Sequence, residues 1–155
     1  VSDFDLAWEF TAKEEGVKKD AQGNILSTGL NTVAGDPGGT TNFGFAQKYN
    51  PDIDVTQLTW DTAKKRAFTN YWLPTGCTNL DWPCNLIAFD TAFNQSQPEA
   101  QALIAGQTAS KPYDEMLWNR LKQYGAKHPA NLNFTRWWLI RVIHLRDYIL
   151  ATPHA

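Results

Sequence analysis

Two acids in this chain stand where the backbone could turn them into a proton-transfer pair. Glu15 ends the run SDFDLAWEFTAKEEG, whose apolar residues recur at helical intervals and which Gly16 stops. It therefore falls at the carbonyl end of a helix, where unpaired C=O groups form a partial negative pole. A carboxylate is disfavoured there, so its pKa is expected to rise. A carboxyl still protonated near neutrality is what a general acid requires. A solvated helix-end glutamate is the plainer alternative, and composition alone favours it. Glu14 competes for the same place, but its side chain points about 100° away around the helix.

The second acid, Asp36, heads the turn in GDPGGTTNFG, residues 35–44. Four glycines and a proline suit neither a helix nor a central strand. Asp before Pro commonly just initiates a turn, and from these residues alone that reading is preferred. Yet the glycines, Gly39 among them, would let backbone approach a ligand closely, with Thr41 and Asn42 presenting hydroxyl and amide groups.

Other polar residues carry blander expectations. Asp90 and Asn94 share one face of an otherwise apolar helix and are read first as a buried polar pair tying that helix to a neighbour. Arg136 and Arg141 on the last helix are candidates to pair with buried acids. Asp114 and Glu115 fall in a first helical turn, where acids suit the dipole, and read as a solvated face. DAQGN at 20–24 has too few acids for a calcium loop. Cys77 and Cys84 in CTNLDWPC fit a small disulfide loop or two buried free thiols equally well. Zinc is not expected, because His128, His144 and His154 are scattered.

The elements that must hold these residues are mostly helical. Ser2 and Asp5 have capping-box spacing ahead of the first helix. Residues 17–45 are the one β-like region, punctuated by Gly23-Asn24 and Gly29. Helices are then expected in TWDTAKKRAFTNYW with Thr59 as cap, NLIAFDTAFNQS with Asn85 as cap, and PEAQALIAG with Pro98 early and Gly106 last. PYDEMLWNRLKQYG should close on Gly125, and NFTRWWLIRVIHLRDYILA should be a central buried helix. The expected class is α+β, mostly helical, with residues 1–155 as a single domain.

Composition narrows the function. Aromatic residues reach 13%, a surplus that suits core packing before it suits a carbohydrate-stacking surface. A formal net charge of -2 without a basic run offers nucleic acid no site. No apolar run is long enough to span a membrane, and no signal peptide is expected.

In order and rough spacing, Glu15-Gly16, DPGGTTNFGF, DVTQLTWDTA, NYW and AFDTAFNQS resemble glycoside hydrolase family 108, the lysozyme-like N-acetylmuramidases, many of them phage or prophage endolysins. The resemblance covers about residues 8–96, and DPGGTTNFGF is its most specific part. Val17 replaces the second glycine of the family's Glu-Gly-Gly. The interval between Glu15 and Asp36 is longer than usual and contains Asp20, which leaves Asp20 as an alternative second acid. The resemblance implies a lysozyme-like fold with a sugar-binding cleft, and peptidoglycan cleavage at the β-1,4 bond after N-acetylmuramic acid. It implies Glu15 as general acid and Asp36 as the base that activates water, with inversion, and Thr41 helping to orient that water. Asn42, Gly39, Tyr71, Asp90 and Asn94 become substrate-binding candidates. No cofactor is implied, a monomer is expected, and the site of action is the cell wall, in periplasm or outside the cell. With no separate wall-binding domain, the catalytic domain is expected to recognise the wall itself. A lytic transglycosylase, a non-catalytic peptidoglycan-binding module and, third, a chitinase-like specificity are the rivals.

Overall fold

The computed structural model describes residues 1–32, 39–107, 112–127 and 132–152. It is mostly helical α+β and lysozyme-like, as the sequence implied. The chain divides into two compact units: Trp8–Ala67, and Val1–Ala7 with Phe68–Ala155.

Helix α1 (Asp3–Glu14) begins with the expected capping box. Ser2 N donates to Asp5 Oδ2 (2.9 Å) and Asp5 N to Ser2 Oγ (3.2 Å), so two otherwise orphaned amides are satisfied. The unit Trp8–Ala67 then adds a hairpin of β1 (Val17–Lys19) and β2 (Ile25–Thr28). A second antiparallel sheet follows, in the order β3 (Asn31–Thr32), β4 (Thr40–Asn42), β5 (Phe45–Ala46). The β4–β5 loop is two residues, Phe43 and Gly44, both with positive φ (51° and 80°), which is the geometry of a type I′ turn. A bulky side chain rarely accepts that conformation. Burial holds Phe43 there: it is 1% exposed and its ring lies 6.4 Å from Trp60, which in turn lies 5.5 Å from Trp8. Helix α2 (Trp60–Ala67) starts at the expected Thr59, which exchanges bonds with Thr62 in both directions.

The second unit is built round α4 (Cys84–Asn94), buried from Cys84 through Ala92. Ahead of it come a π-helical segment (Phe68–Trp72), the short α3 (Leu73–Thr75) and a tight turn at Cys77–Asn79. Phe4 of α1 sets its ring edge-on to Phe68, Trp72 and Phe89, at 4.9, 5.2 and 5.5 Å between centroids. Beyond α4 lie α5 (Gln97–Ala105), α6 (Pro112–Lys127) and α7 (Leu132–Ala151). Ser96 caps α5, Pro98 sits in its first turn and Gly106 ends it.

Four local expectations need correction or resolution. The central buried helix is α4, not α7: Leu139, Ile143 and Leu150 of α7 are exposed, because three arginines and an aspartate break its apolar surface into faces. Asn85 is not a cap; it lies inside α4, where its amide donates to Asp3 Oδ2 and to the Leu80 carbonyl. Helix α6 runs past Gly125 to Lys127, since Gly125 has open space around it and no turn is required there. Cys77 and Cys84 are free and buried, the second of the two readings. No helix among the described residues is long and apolar enough to cross a membrane.

Candidate active site

Glu15 is the pivot between helix and hairpin. Its amide still donates to the Thr11 carbonyl (3.0 Å), continuing the helical ladder one residue beyond α1. Gly16 N then closes a tighter turn onto Lys13 O (3.0 Å), and Gly16 adopts φ 91°, so the chain reverses directly into β1. The side chain of Glu15 is half-buried.

The far strand of the hairpin returns onto this point. Val17 pairs with Thr28, so Gly29 arrives opposite Gly16. Gly29 has φ 70°, and a Cβ placed on it would stand 2.5 Å from the Glu15 carbonyl oxygen. Only glycine fits. The main chain of Glu15 is thereby held between the end of a helix and the exit of a hairpin.

The next strands put Thr40–Asn42 beside this junction. Phe43 N donates to Thr28 O (2.9 Å), and Asn31 pairs with Thr41. From Gly29 to Thr41 is therefore two residues of extended chain, about 7 Å, plus one strand spacing of about 5 Å. Thr41 is half-buried on β4. Gly39 precedes β4 at φ 70°, with nothing nearer its missing Cβ than Gln47 Cβ at 4.0 Å; conformation rather than crowding calls for glycine. Asp36 lies outside the described residues.

Asp20, the rival second acid, is used up by its own turn. Its Oδ1 accepts from the amides of Gln22 (2.9 Å) and Asn24 (2.8 Å), and its Oδ2 from Asn24 Nδ2 (2.8 Å). The Asn24 side chain and then these amides hold its carboxyl below the usual aspartate value of 3.8. That makes Asp20 a weaker base and a good closer of the DAQGN turn. Among the described residues no three His, Cys, Asp or Glu side chains cluster to hold a metal.

Three substrate-binding candidates are scaffold in this structure. Asn42 is 2% exposed, and its amide donates to the Val55 carbonyl (2.9 Å), pinning β4 to the turn at Val55–Gln57. Asp90 is fully buried and shared by two guanidiniums: Arg120 Nη2 lies 2.8 Å from Oδ2, and Arg141 Nη2 2.8 Å from Oδ1. Asn94 accepts from Tyr124 Oη (2.7 Å), while that hydroxyl receives Arg120 Nη2 (3.1 Å). Burial pushes the Tyr124 hydroxyl up, so it stays a donor to Asn94. Asp90 and Asn94 are thus the helix-tying pair read first, with Arg141 as foreseen and Arg120 in addition. Tyr71 belongs to the π-helical segment, a kind of irregularity frequent at functional sites, and its half-buried ring lies 4.7 Å from Phe93.

Two supports had no sequence signal. Gln47 bonds the carbonyls of Asn50 and Ile53 and accepts from Val55 N, so one amide organises the loop behind β5. Arg66 grips Asp52 with both terminal nitrogens (2.9 and 2.7 Å) and Asn50 with Nε (2.9 Å). A groove of about 570 Å³ also opens along α1 beside Lys13, Gly16, Leu26 and Trp60, but Glu15 does not line it.

Glu15 thus stands between a helix end and a hairpin, with Thr40-Thr41-Asn42 on a strand of the next sheet. The family model for glycosyl hydrolase 108 matches residues 9–95, more than half of the chain. The chain belongs to that family, and with it to the glycoside hydrolases. Searches of curated proteins and of solved structures gave no match.

Proposed function

We propose that the protein is a peptidoglycan hydrolase, an N-acetylmuramidase that cuts the β-1,4 bond between N-acetylmuramic acid and N-acetylglucosamine. What carries the reading is Glu15: the glutamate of the family motif stands at the carbonyl end of α1, its main chain clamped by Gly16 and Gly29. A carboxyl whose main chain is held this firmly at a helix end is placed to serve as general acid.

In the proposed step Glu15 gives its proton to the glycosidic oxygen, and the C–O bond to the leaving sugar breaks. A water molecule attacks the anomeric carbon from the opposite face and yields a proton to Asp36, with Thr41 orienting that water. The anomeric centre inverts, which calls for a carboxyl separation of about 6.5–9.5 Å. Asp20 is set aside as the base because its oxygens are occupied in its turn. Gly39 is assigned to the substrate. The setting is the bacterial cell wall, in the manner of an endolysin.

The test pairs a variant with a product. Glu15→Gln should lose about 10²–10⁴-fold in turnover on purified peptidoglycan while keeping its circular dichroism. Mass spectrometry of muropeptides from the wild type should show reducing ends. Anhydro ends would make it a lytic transglycosylase. Binding without any release would make it a peptidoglycan-binding module, and a Glu15→Gln variant at near wild-type rate would remove Glu15 from the chemistry.

A further inference from the structure

Helices α6 and α7 present a patterned apolar face to solvent. On α6, Asp114, Trp118, Leu121 and Gly125 follow one another at intervals of four, three and four residues. On α7, Leu139, Ile143, Arg146 and Leu150 do the same. That is the spacing of a seam built to meet other helices. Between the two stripes lies a groove of about 390 Å³ lined by Trp118, Leu121, Leu139 and Ile143, with Asp114 and Arg146 at its margin. The opposite faces of both helices are spent on the core, through Arg120, Tyr124, Arg141 and Leu145.

The exposed area is sizeable. Trp118 is 61% exposed, Leu139 44%, Ile143 57% and Leu150 61%. Together they leave roughly 400 Å² of apolar surface, within the range where a patch on a monomer tends to be functional. Two such faces pressed together would bury roughly 800 Å², and at the apolar share of homodimer interfaces, about 65%, the total reaches about 1,200 Å². That is the lower bound for a specific interface.

Charge selects the partner. The helices are antiparallel, because Tyr124 stacks on Trp138 at 5.0 Å while Arg120 and Arg141 meet at Asp90. Among the described residues, one end of the face carries Asp114 and Asp147 against Arg146. The other end carries Lys122 and Arg136, both exposed, with no acid beside them among the described residues. A face acidic at one end and basic at the other complements a copy of itself turned end for end. We propose that two copies of this chain associate through the α6–α7 face as an antiparallel two-fold dimer, in place of the monomer expected from sequence. The two-fold sets Asp114 of each copy near Arg136 of the other.

Sedimentation velocity from micromolar to submillimolar concentration should show a reversible shift toward twice the 17.5 kDa chain mass. Leu139→Glu with Ile143→Glu should stay monomeric at every concentration with unchanged circular dichroism, since both side chains are solvent-exposed. Asp114→Lys and Arg136→Glu should each lose dimer alone and regain it when mixed, because every inter-copy pair is then opposite in sign. A wild type monomeric across the range, or undiminished dimer in the double-glutamate variant, overturns the proposal. So does failure of the mixture to regain dimer, or monomer that binds phosphatidylglycerol vesicles through this face instead.

Discussion

Replacing Gly29 by alanine tests the clamp on Glu15 most directly. The residue has φ 70°, and the new Cβ would lie 2.5 Å from the Glu15 carbonyl oxygen, a main-chain atom that no rotamer change can move. The left-handed conformation costs an L-residue about 1–2 kcal/mol. Overpacking of this kind typically adds about 1–3 kcal/mol. A total near 3 kcal/mol lowers Tm by roughly 6–12 °C for a chain of this size. Gly23→Ala is the matched control, since Gly23 has φ 88° and nothing within 4 Å of its missing Cβ. It should lose only the conformational part, about 1–2 kcal/mol. Function should separate the pair further. Below both melting temperatures Gly23→Ala keeps wild-type peptidoglycan turnover. Gly29→Ala displaces the Glu15 main chain, and a misplacement of about 1 Å costs on the order of 10²-fold. Differential scanning calorimetry and a dye-release assay on purified walls measure the two effects. Equal melting temperatures and equal rates for the two variants would refute the clamp.

Asp20→Asn should keep near wild-type activity, whereas Asp36→Asn should lose most turnover; the reverse pattern in the wall assay would make Asp20 the base. Asp20 also has a stability signature. Its native pKa lies below 3.8, so its contribution is complete above that value and is lost as pH falls through the lower native value. Urea midpoints of Asp20→Asn should therefore converge with those of wild type under strong acid and diverge above pH 4. Asp90→Ala strands two guanidiniums in the core and should cost about 3–5 kcal/mol in urea denaturation, whatever the substrate; a loss under 1 kcal/mol would contradict the buried triad. Burial pushes the Cys77 thiol up to about 12, so at pH 8 it should react with a thiol reagent only as fast as the chain opens. Immediate labelling of both cysteines in the native protein would contradict their burial.

Legibility in the sequence followed the range of the interaction. The capping box at Ser2–Asp5, the Thr59 cap, Pro98 at the start of α5 and the glycine stop after Glu15 each depend on residues within four positions of one another. Asp90 was recognisable as a buried polar anchor because an acid on an otherwise apolar helix face has few other uses. Its second guanidinium, Arg120, was not, since nothing in the pattern of α6 marks that arginine as buried and only packing turns it inward. Asn42 looked ligand-facing in a glycine-rich loop, but strand alternation turned its amide inward to Val55. The largest difference concerns α7, where a run rich in Trp, Leu and Ile predicts a core helix and the structure leaves much of it exposed. Hydrophobicity counts side chains, whereas burial depends on which of them the neighbouring helices cover.

From its order of residues alone, this chain determines a mostly helical α+β protein of glycosyl hydrolase family 108 with Glu15 at the end of the first helix. These follow from periodicity, caps and a motif, all local properties of covalent order. The tertiary structure alone decided that Gly29 closes on the Glu15 carbonyl, that Asp90 and Asn42 face inward, and that the α6–α7 seam faces water. Each of those outcomes is a contact between segments distant along the chain. Such contacts arise only when burial, ion pairing and strand register are satisfied together in one packing.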